Sequence, residues 1–321
     1  MIGAVDIGAT KTLVGLAGDD GRLLHGPRVR LATPPTPDLV VGAVTRALVE
    51  LAADAGGYVR AVGCAVPGPL DRDRGVVRRI VNLGLADVAL GPELAAILGV
   101  PVAIEDDANA AGLGEAVVGA GRGVDVLAYL TVSTGVGAAV IIDGRILHGA
   151  HDAAGEIGHL VLDPTGPECS CGRRGDIESY AGGASMLRRA AQVWPDEPAA
   201  AAARPLSVPD LFAWAQRGDA DATRLVDQAV DALAAAVAAL VSTVDPGRVV
   251  IGGSVALGQP GLVPTVATMA RQRVIDELAA DLRVVPADLG AASGLAGAAL
   301  LGWSLLADPG TPPATDAPPL V

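Results

Sequence analysis

The stretch IGAVDIGATKTLVGLAGDDGRLL (residues 2–24) returns in pattern as VLAYLTVSTGVGAAVIIDGRIL (residues 126–147). Each stretch is typical of a short apolar strand, a turn containing glycine and threonine, a returning strand and a polar turn. This repetition predicts two halves with related topology. Because strands and helices alternate through the rest of the chain, we expect an α/β protein with two lobes and a ligand cleft between them.

Composition limits the class of protein. The 321 residues are 51% hydrophobic but only 2% aromatic, so the core is expected to consist of small aliphatic side chains. A net charge of −13 disfavours a nucleic-acid surface, which needs clustered cations. Three cysteines are too few for a disulfide framework, and no signal-peptide pattern or long uninterrupted apolar run is present. We therefore expect a cytoplasmic protein without a nucleic-acid or membrane partner.

Three glycine turns directly follow apolar strands: DIGATKT (residues 6–12), TVSTGVG (131–137) and VIGGSVA (250–256). A bound phosphate needs backbone N–H groups that can come close, and glycine permits this approach. Lys11, the only lysine in the chain, lies in the first turn. The spacing of a Walker A loop is absent, and each turn by itself is also compatible with an ordinary hairpin. Together they predict a nucleotide held by backbone groups.

Two further stretches contain groups suited to chemistry. EDDANAAGLGE (residues 105–115) has three acids between a predicted strand and a predicted helix. A carboxylate there could accept the proton of a hydroxyl that attacks a phosphoryl group, although helix capping by Asp107 explains the same pattern. GHLVLDPTGPECSCGRRGDIE (158–178) is typical of a metal site, with an aspartate where the last ligand is expected.

Taken together, these motifs resemble the ROK (repressor–ORF–kinase) sugar kinases, and in particular the bacterial ROK glucokinases. The resemblance extends from AVDIGATK through AVPGPLD, EDDANAA, LTVSTGVG and GEIGH…CSCGRRGDIE to DPGRVVIGGSVA. It implies a two-lobed actin/hexokinase-like, ribonuclease H-like fold. It also implies ATP-dependent transfer of a γ-phosphoryl group to a hydroxyl of glucose or a related hexose.

The resemblance also implies roles for individual residues. Asp107 corresponds to the general base, and Mg²⁺ would accompany ATP. Implied sugar-binding positions are Gly68, Asn82, Asp106, Glu156, His159 and Glu178. Implied nucleotide-binding positions are Asp6, Gly8, Thr10, Lys11, Thr134, Gly135, Gly137, Gly252 and Gly253. A structural Zn²⁺ would be held by His159, Cys169, Cys171 and Asp176.

Three positions depart from the family pattern. Ala9 replaces a glycine, which is a mild change. Asp106 replaces an asparagine and places a second carboxylate beside the base, which favours an amino sugar, an N-acetyl sugar or a cyclitol as an alternative acceptor. Asp176 replaces a cysteine, so the loop is expected either to bind zinc more weakly or to hold its shape by hydrogen bonds alone.

The predicted domain organisation follows from these motifs. The ranges are residues 1–113 for a small lobe joined by a C-terminal helix at 291–307, 114–290 for a large lobe containing the metal loop 158–178, and 308–321 for a Pro-rich disordered tail. We expect a homodimer or a homotetramer. A non-catalytic sugar sensor is the alternative function. A DNA-binding repressor is disfavoured, because the first phosphate motif begins at Asp6 and the chain is acidic.

Overall fold

The structure is a computed structural model that describes residues 1–80, 85–195 and 206–307. The described residues form two compact units, one made of 1–125, 141–154 and 291–307 and the other of 126–140 and 155–290. Asn82 and the predicted tail at 308–321 lie outside the described residues. The lobe boundaries expected from the sequence stay a prediction.

A five-stranded sheet forms the centre of the first unit, with the order β3-β2-β1-β4-β8. Its strands are β1 (Ile2–Ile7), β2 (Lys11–Ala17), β3 (Leu23–Ala32), β4 (Ala61–Val66) and β8 (Val102–Asp106). Strand β1 runs antiparallel to β2 and parallel to β4, and β4 runs parallel to β8. The parallel strands therefore end at the same edge of the sheet, which carries Asp6, the loop after Val66, and Asp106.

Helices and a small sheet complete this unit. The helices are α1 (Pro37–Asp54), α2 (Leu90–Leu98), α3 (Asp107–Val118) and α11 (Ser293–Ser304). The small sheet has the order β5-β6-β7, with β5 (Leu70–Asp71), β6 (Val76–Ile80) and β7 (Leu85–Val88). The side chains of β1 and β4 are almost all buried, which explains why their sequences are apolar throughout instead of alternating.

Helix α11 packs against α3 and β4 at positions without side chains. A Cβ atom added to Gly297 would lie 1.7 Å from the carbonyl oxygen of Ala110 in α3, and one added to Gly63 would lie 1.9 Å from the carbonyl oxygen of Ala298. Backbone therefore meets backbone at both contacts, as only glycine permits. The C-terminal helix thereby fixes α3, which begins at Asp107.

The second sheet repeats the strand arrangement of the first, with the order β11-β10-β9-β12-β13. Its strands are β9 (Val126–Val132), β10 (Val136–Ile142), β11 (Arg145–Ile146), β12 (Arg248–Gly252) and β13 (Val284–Pro286). Strand β12 runs parallel to both β9 and β13. In each sheet a hairpin strand adjoins the first strand on one side and a parallel strand adjoins it on the other, which agrees with the repetition seen in the sequence.

Helices pack on this second sheet around one long central helix. They are α4 (Ile177–Ala181), α5 (Gly183–Val193), α6 (Val208–Gln216), α7 (Ala220–Val244), α8 (Ser254–Leu257), α9 (Leu262–Arg271) and α10 (Asp276–Asp281). By length and composition α7 could span a membrane, but 61% of its most apolar window is buried within the protein. Its alanines and leucines form the centre of the second core.

Candidate functional site

The first glycine turn is tightly closed behind β1. The Gly8 N–H donates to the carbonyl of Lys11 at 2.8 Å, and the Thr33 hydroxyl donates to the Gly8 carbonyl at 2.7 Å. A Cβ at position 8 would lie 3.0 Å from the Lys11 carbonyl oxygen. Glycine therefore lets the chain reverse here, and Thr10 is left exposed at the tip of the turn.

Asp6, just before this turn, has an unusual protonation equilibrium. Burial raises the pKa of Asp6 to about 7, the nearby charge of Asp107 adds to the rise, and Lys11 opposes it. Its carboxylate lies against the start of α11, where a Cβ at Gly294 would come within 2.9 Å of Oδ2. The structure thus brings together three predicted site residues from two segments: Asp6 and Lys11 at the first glycine turn, and Asp107 of α3.

The start of α3 shows that Asp106 is the helix cap. Its Oδ1 accepts hydrogen bonds from the backbone N–H groups of Ala108 at 3.0 Å and Asn109 at 3.3 Å. Asp107 is instead the first helical residue, so the capping alternative considered for Asp107 is wrong by one position. Aspartate and asparagine cap helices about equally well, so the exchange at position 106 retains the cap while it changes the charge.

A buried acid that the sequence left without a role lies beneath this cap. Glu105 is 3% exposed; its Oε1 accepts from the Asp106 N–H and from Asn109 Nδ2, both at 3.0 Å. Its Oε2 lies 2.7 Å from His148 Nε2. A buried carboxylate needs hydrogen-bonding partners. An acidic residue within an apolar strand therefore indicates that such a partner is nearby. The sequence did not show that His148 would supply it from 43 residues away.

In the second unit, Glu178 contacts the second glycine turn directly. Its Oε2 accepts a hydrogen bond from the backbone N–H of Val136 at 3.0 Å. A Cβ at Gly135 would lie 2.4 Å from the same oxygen. The turn has room for this carboxylate only because residue 135 has no side chain. A predicted sugar ligand and a predicted phosphate loop are therefore joined by one hydrogen bond.

The third glycine turn lies beside the second. The hydroxyls of Ser133 and Ser254 are 3.0 Å apart. Gly253 has a φ of +91°, and a Cβ there would lie 2.3 Å from the carbonyl oxygen of Val132. Gly252 is equally constrained, with 2.3 Å between an added Cβ and the Tyr129 hydroxyl. The two turns predicted to hold a nucleotide in this unit are thus in contact.

Four predicted metal ligands converge in the loop between β11 and α4. Their ligand atoms all lie within 4.8 Å of one another. His159 Nδ1 is 3.1 Å from Asp176 Oδ2 and 3.8 Å from Cys169 Sγ, while Cys171 Sγ is 3.5 Å from Asp176 Oδ2. Bond lengths of about 2.0 Å to N or O and 2.3 Å to S place tetrahedral zinc ligands about 3.3–3.8 Å apart. The residues therefore fit a zinc ion.

His159 presents its two ring nitrogens to different neighbours. Nδ1 faces the cluster, and Nε2 lies 3.9 Å from the Glu156 carboxylate, which is 64% exposed. The segment is held against β10, because a Cβ at Gly158 would lie 2.1 Å from the carbonyl oxygen of Val136. Glu156 and the Nε2 of His159 are thus close to each other, on the side of the imidazole ring that faces away from the cluster.

Three other predicted site residues lie in turns or strands of the two units. Gly68 has a φ of +106° in the loop after β4, a conformation that favours glycine. Gly137 is a half-buried residue of β10. Thr134 accepts a hydrogen bond at its carbonyl oxygen from the N–H of Ala184, which anchors the turn to α5.

The model of the ROK family matches residues 2–303. The chain belongs to the ROK family. Its fold is similar to that of a ROK hexokinase from Thermus thermophilus, with a TM-score of 0.82 and 37% identity over 95% of this chain and 98% of that one. The predicted actin/hexokinase-like fold is thereby confirmed.

Two further proteins are similar over nearly their whole lengths. One is a glucokinase from Streptomyces griseus, solved with glucose and AMPPNP: TM-score 0.79, 31% identity, 94% of this chain and 99% of that one. The other is an N-acetylmannosamine kinase from Citrobacter koseri, 34% identical over 302 residues, covering 93% of this chain and 97% of that protein. Similarity to ROK kinases therefore covers both of the compact units.

Proposed function

We propose that this ROK protein is an ATP-dependent sugar kinase that phosphorylates a hydroxyl of glucose or a related hexose. The observation that carries the proposal is Asp107 at the first position of α3, close enough to Asp6 for its charge to raise the pKa of that acid. A carboxylate at this place can accept a proton, and the first glycine turn, which follows Asp6, can bind a phosphate. The similar S. griseus protein was solved with glucose and an ATP analogue, which supports the assignment.

In the proposed reaction, the Asp107 carboxylate accepts the proton of the sugar hydroxyl. The hydroxyl oxygen then forms a bond to the γ-phosphorus, the bond from that phosphorus to the bridging oxygen breaks, and ADP leaves with the electron pair. The nucleotide and its Mg²⁺ would be held by Asp6, Lys11 and the three glycine turns, and the ion would neutralise phosphate charge. Gly68, Asp106, Glu156, His159 and Glu178 contact the sugar, and Asn82 completes the proposed set.

We also propose that His159, Cys169, Cys171 and Asp176 hold a structural zinc ion. The support is the convergence of four ligand atoms of suitable chemistry within 4.8 Å. Residues 1–113 with the helix at 291–307, and residues 114–290, would act as the two lobes. The protein would work in the cytoplasm as a homodimer or homotetramer, without a nucleic-acid or membrane partner.

A second candidate keeps the chemistry and changes the acceptor. An additional carboxylate, Asp106, precedes the proposed base, and a relative 34% identical to this chain over 302 residues is named as an N-acetylmannosamine kinase. An ionised carboxylate accepts hydrogen bonds but donates none. It therefore favours a sugar substrate that carries an N–H or ammonium group over a sugar that needs a hydrogen bond from an amide N–H of the protein. An amino sugar or an N-acetyl sugar is therefore the alternative substrate.

A panel of acceptors tests the function. Release of ADP from Mg·ATP would be measured with glucose, mannose, glucosamine, N-acetylmannosamine, N-acetylglucosamine and inositol. We expect turnover with at least one hexose, and the highest kcat/KM identifies the acceptor. High kcat/KM for glucose alone would remove the amino-sugar alternative. Measurable sugar binding with no turnover for any acceptor would replace the kinase by a sugar sensor.

Gly135→Ala is expected to weaken sugar binding without unfolding the protein. The new Cβ would displace the Glu178 carboxylate, the mobile end of a side chain, so the effect falls on the site more than on the core. We expect the sugar Kd to rise about tenfold or more, since one charged hydrogen bond contributes about 1.5–3 kcal/mol. Titration calorimetry measures the Kd.

Gly42→Ala is the matched control for this substitution. Gly42 lies in α1, and a Cβ there would meet no atom within 4 Å. Its sugar Kd should equal that of the wild type. An unchanged Kd in Gly135→Ala would show that Glu178 does not contact the sugar from the position in which the second glycine turn holds it.

A further inference from the structure

Asp176 uses its two carboxylate oxygens in different directions. Oδ1 accepts a hydrogen bond from the backbone N–H of Ser179 at 2.8 Å. Oδ2 lies 3.1 Å from His159 Nδ1 and 3.5 Å from Cys171 Sγ. The residue is completely buried, and its backbone is extended, as at a helix N-cap. Asp176 is therefore both the cap of α4 and a member of the metal cluster.

We propose that Asp176 divides its carboxylate between two tasks, with Oδ1 capping α4 whether or not a metal is bound and Oδ2 serving as the fourth zinc ligand. The inference rests on the zinc site proposed above, but it does not depend on the identity of the sugar. Its consequence is that α4, which carries Glu178, stays in place in the metal-free protein.

The chemistry of the side chain supports this division. Aspartate is among the best N-cap residues, because its carboxylate oxygen accepts a hydrogen bond from a backbone N–H group that has no partner within the helix. Cysteine is not a favoured N-cap residue. Zinc accepts a carboxylate oxygen as a ligand but is bound more strongly by a thiolate, which has only one ligand atom to offer. Compared with a cysteine, an aspartate at position 176 is therefore expected to bind zinc more weakly but to cap α4 without a metal.

The contacts of α4 show what the cap supports. The N–H of Ile177 donates to the carbonyl of Leu160 at 3.1 Å, on the segment that follows His159. One residue further, Glu178 accepts the N–H of Val136 in the second glycine turn. The cap therefore supports the helix that connects the metal cluster to Glu178 and, through it, to the second glycine turn.

Substitutions at position 176 separate the two tasks. Asp176→Asn and Asp176→Ser retain an oxygen that can cap but lose the anionic ligand, and Asp176→Cys gains a thiolate but loses the cap. Zinc per chain would be measured by atomic emission after dialysis, zinc affinity by competition with a chelating dye, and Tm with excess EDTA and with Zn²⁺.

We expect Asp176→Asn and Asp176→Ser to bind zinc about tenfold or more weakly than the wild type, yet to match its Tm in EDTA within about 1 °C. Asp176→Cys should bind zinc more tightly but melt about 2–4 °C or more below the wild type in EDTA. Asp219→Ala is the control: it removes the N-cap of α7 in the same unit, so its Tm should fall equally with and without zinc.

Each contrary result removes a stated part of the proposal. If Asp176→Cys and the wild type melt together in EDTA, Oδ1 does not cap α4 to any measurable degree. If Asp176→Cys does not fold, Asp176→Ala compared with Asp176→Ser decides the same point. Wild-type zinc affinity in Asp176→Asn would remove Oδ2 as a ligand. A wild type that retains no zinc would overturn the zinc site proposed above, while the EDTA comparison would still decide the cap.

Discussion

Asp107→Asn is expected to lower kcat by about 10²–10⁴-fold and to leave the sugar Kd within a few-fold of the wild type. The asparagine amide has the shape of the carboxylate but cannot accept the proton of the attacking hydroxyl. Helix α3 should still form, because its cap is supplied by Asp106. Steady-state kinetics and titration calorimetry on the same preparation measure both quantities.

The same substitution should change the pH dependence of stability. The pKa of Asp6 is about 7 in the folded protein, whereas an unperturbed aspartate has a pKa of about 3.8, so between these pH values the folded state holds a proton that the unfolded state has lost. The contribution of Asp6 to the free energy of unfolding should therefore fall as pH rises from about 4 to about 7 and then level off. Asp107→Asn removes a charge that raises this pKa, so the fall should be smaller and the variant relatively more stable at pH 8.

Asp106→Asn is the control variant for Asp107→Asn, both in the kinetic measurements and in the measurements of stability. Asparagine retains the cap of α3, so the stability of this variant should stay close to that of the wild type. Its kinetic effect should appear mainly in the KM for the sugar, and in the preference between glucose and an amino sugar. A wild-type kcat in Asp107→Asn would remove Asp107 from the role of base, and the same pH dependence in both proteins would contradict the electrostatic link to Asp6.

Gly297→Ala is expected to destabilise the protein by about 3 kcal/mol or more, a large cost for one methyl group. The added Cβ would lie 1.7 Å from the carbonyl oxygen of Ala110, a backbone atom that no rotamer change can move away. Helix α11 must therefore separate from α3. Because Ala110 is three residues after Asp107, kcat should fall as well. Urea unfolding of the wild type and the variant measures the loss.

Gly42→Ala is again the matched control, since alanine replaces glycine in a helix without a contact. It should stabilise the protein slightly, by about 0.5–1 kcal/mol, because alanine favours helix more than glycine does. A Gly297→Ala protein as stable as the wild type would mean that α11 and α3 do not meet backbone to backbone at this position.

The sequence was informative wherever chemistry and backbone geometry act locally. The glycines of the three turns, the His and Cys residues of the stretch 158–178 and the acids around the start of α3 each lie close together along the chain. Their spacing therefore indicated a phosphate site and a metal site, and the resemblance to the ROK family implied the role of each residue. The exact cap was mistaken by one residue, because Asp106 and Asp107 are chemically identical and only the backbone angles of the chain decide which of them begins the helix.

The α/β class, the repeated strand–turn–strand pattern and the groups available for chemistry could be predicted from the sequence, because they depend on residue type and near-neighbour spacing. The contacts between groups far apart in the chain could be seen only in the folded protein. In the folded protein, His148 contacts Glu105, Glu178 accepts a hydrogen bond from the second glycine turn, and the backbone of α11 contacts that of α3. Such pairs depend on packing at distances of a few ångströms between segments far apart in the chain, where one missing methyl group determines whether two backbones can touch.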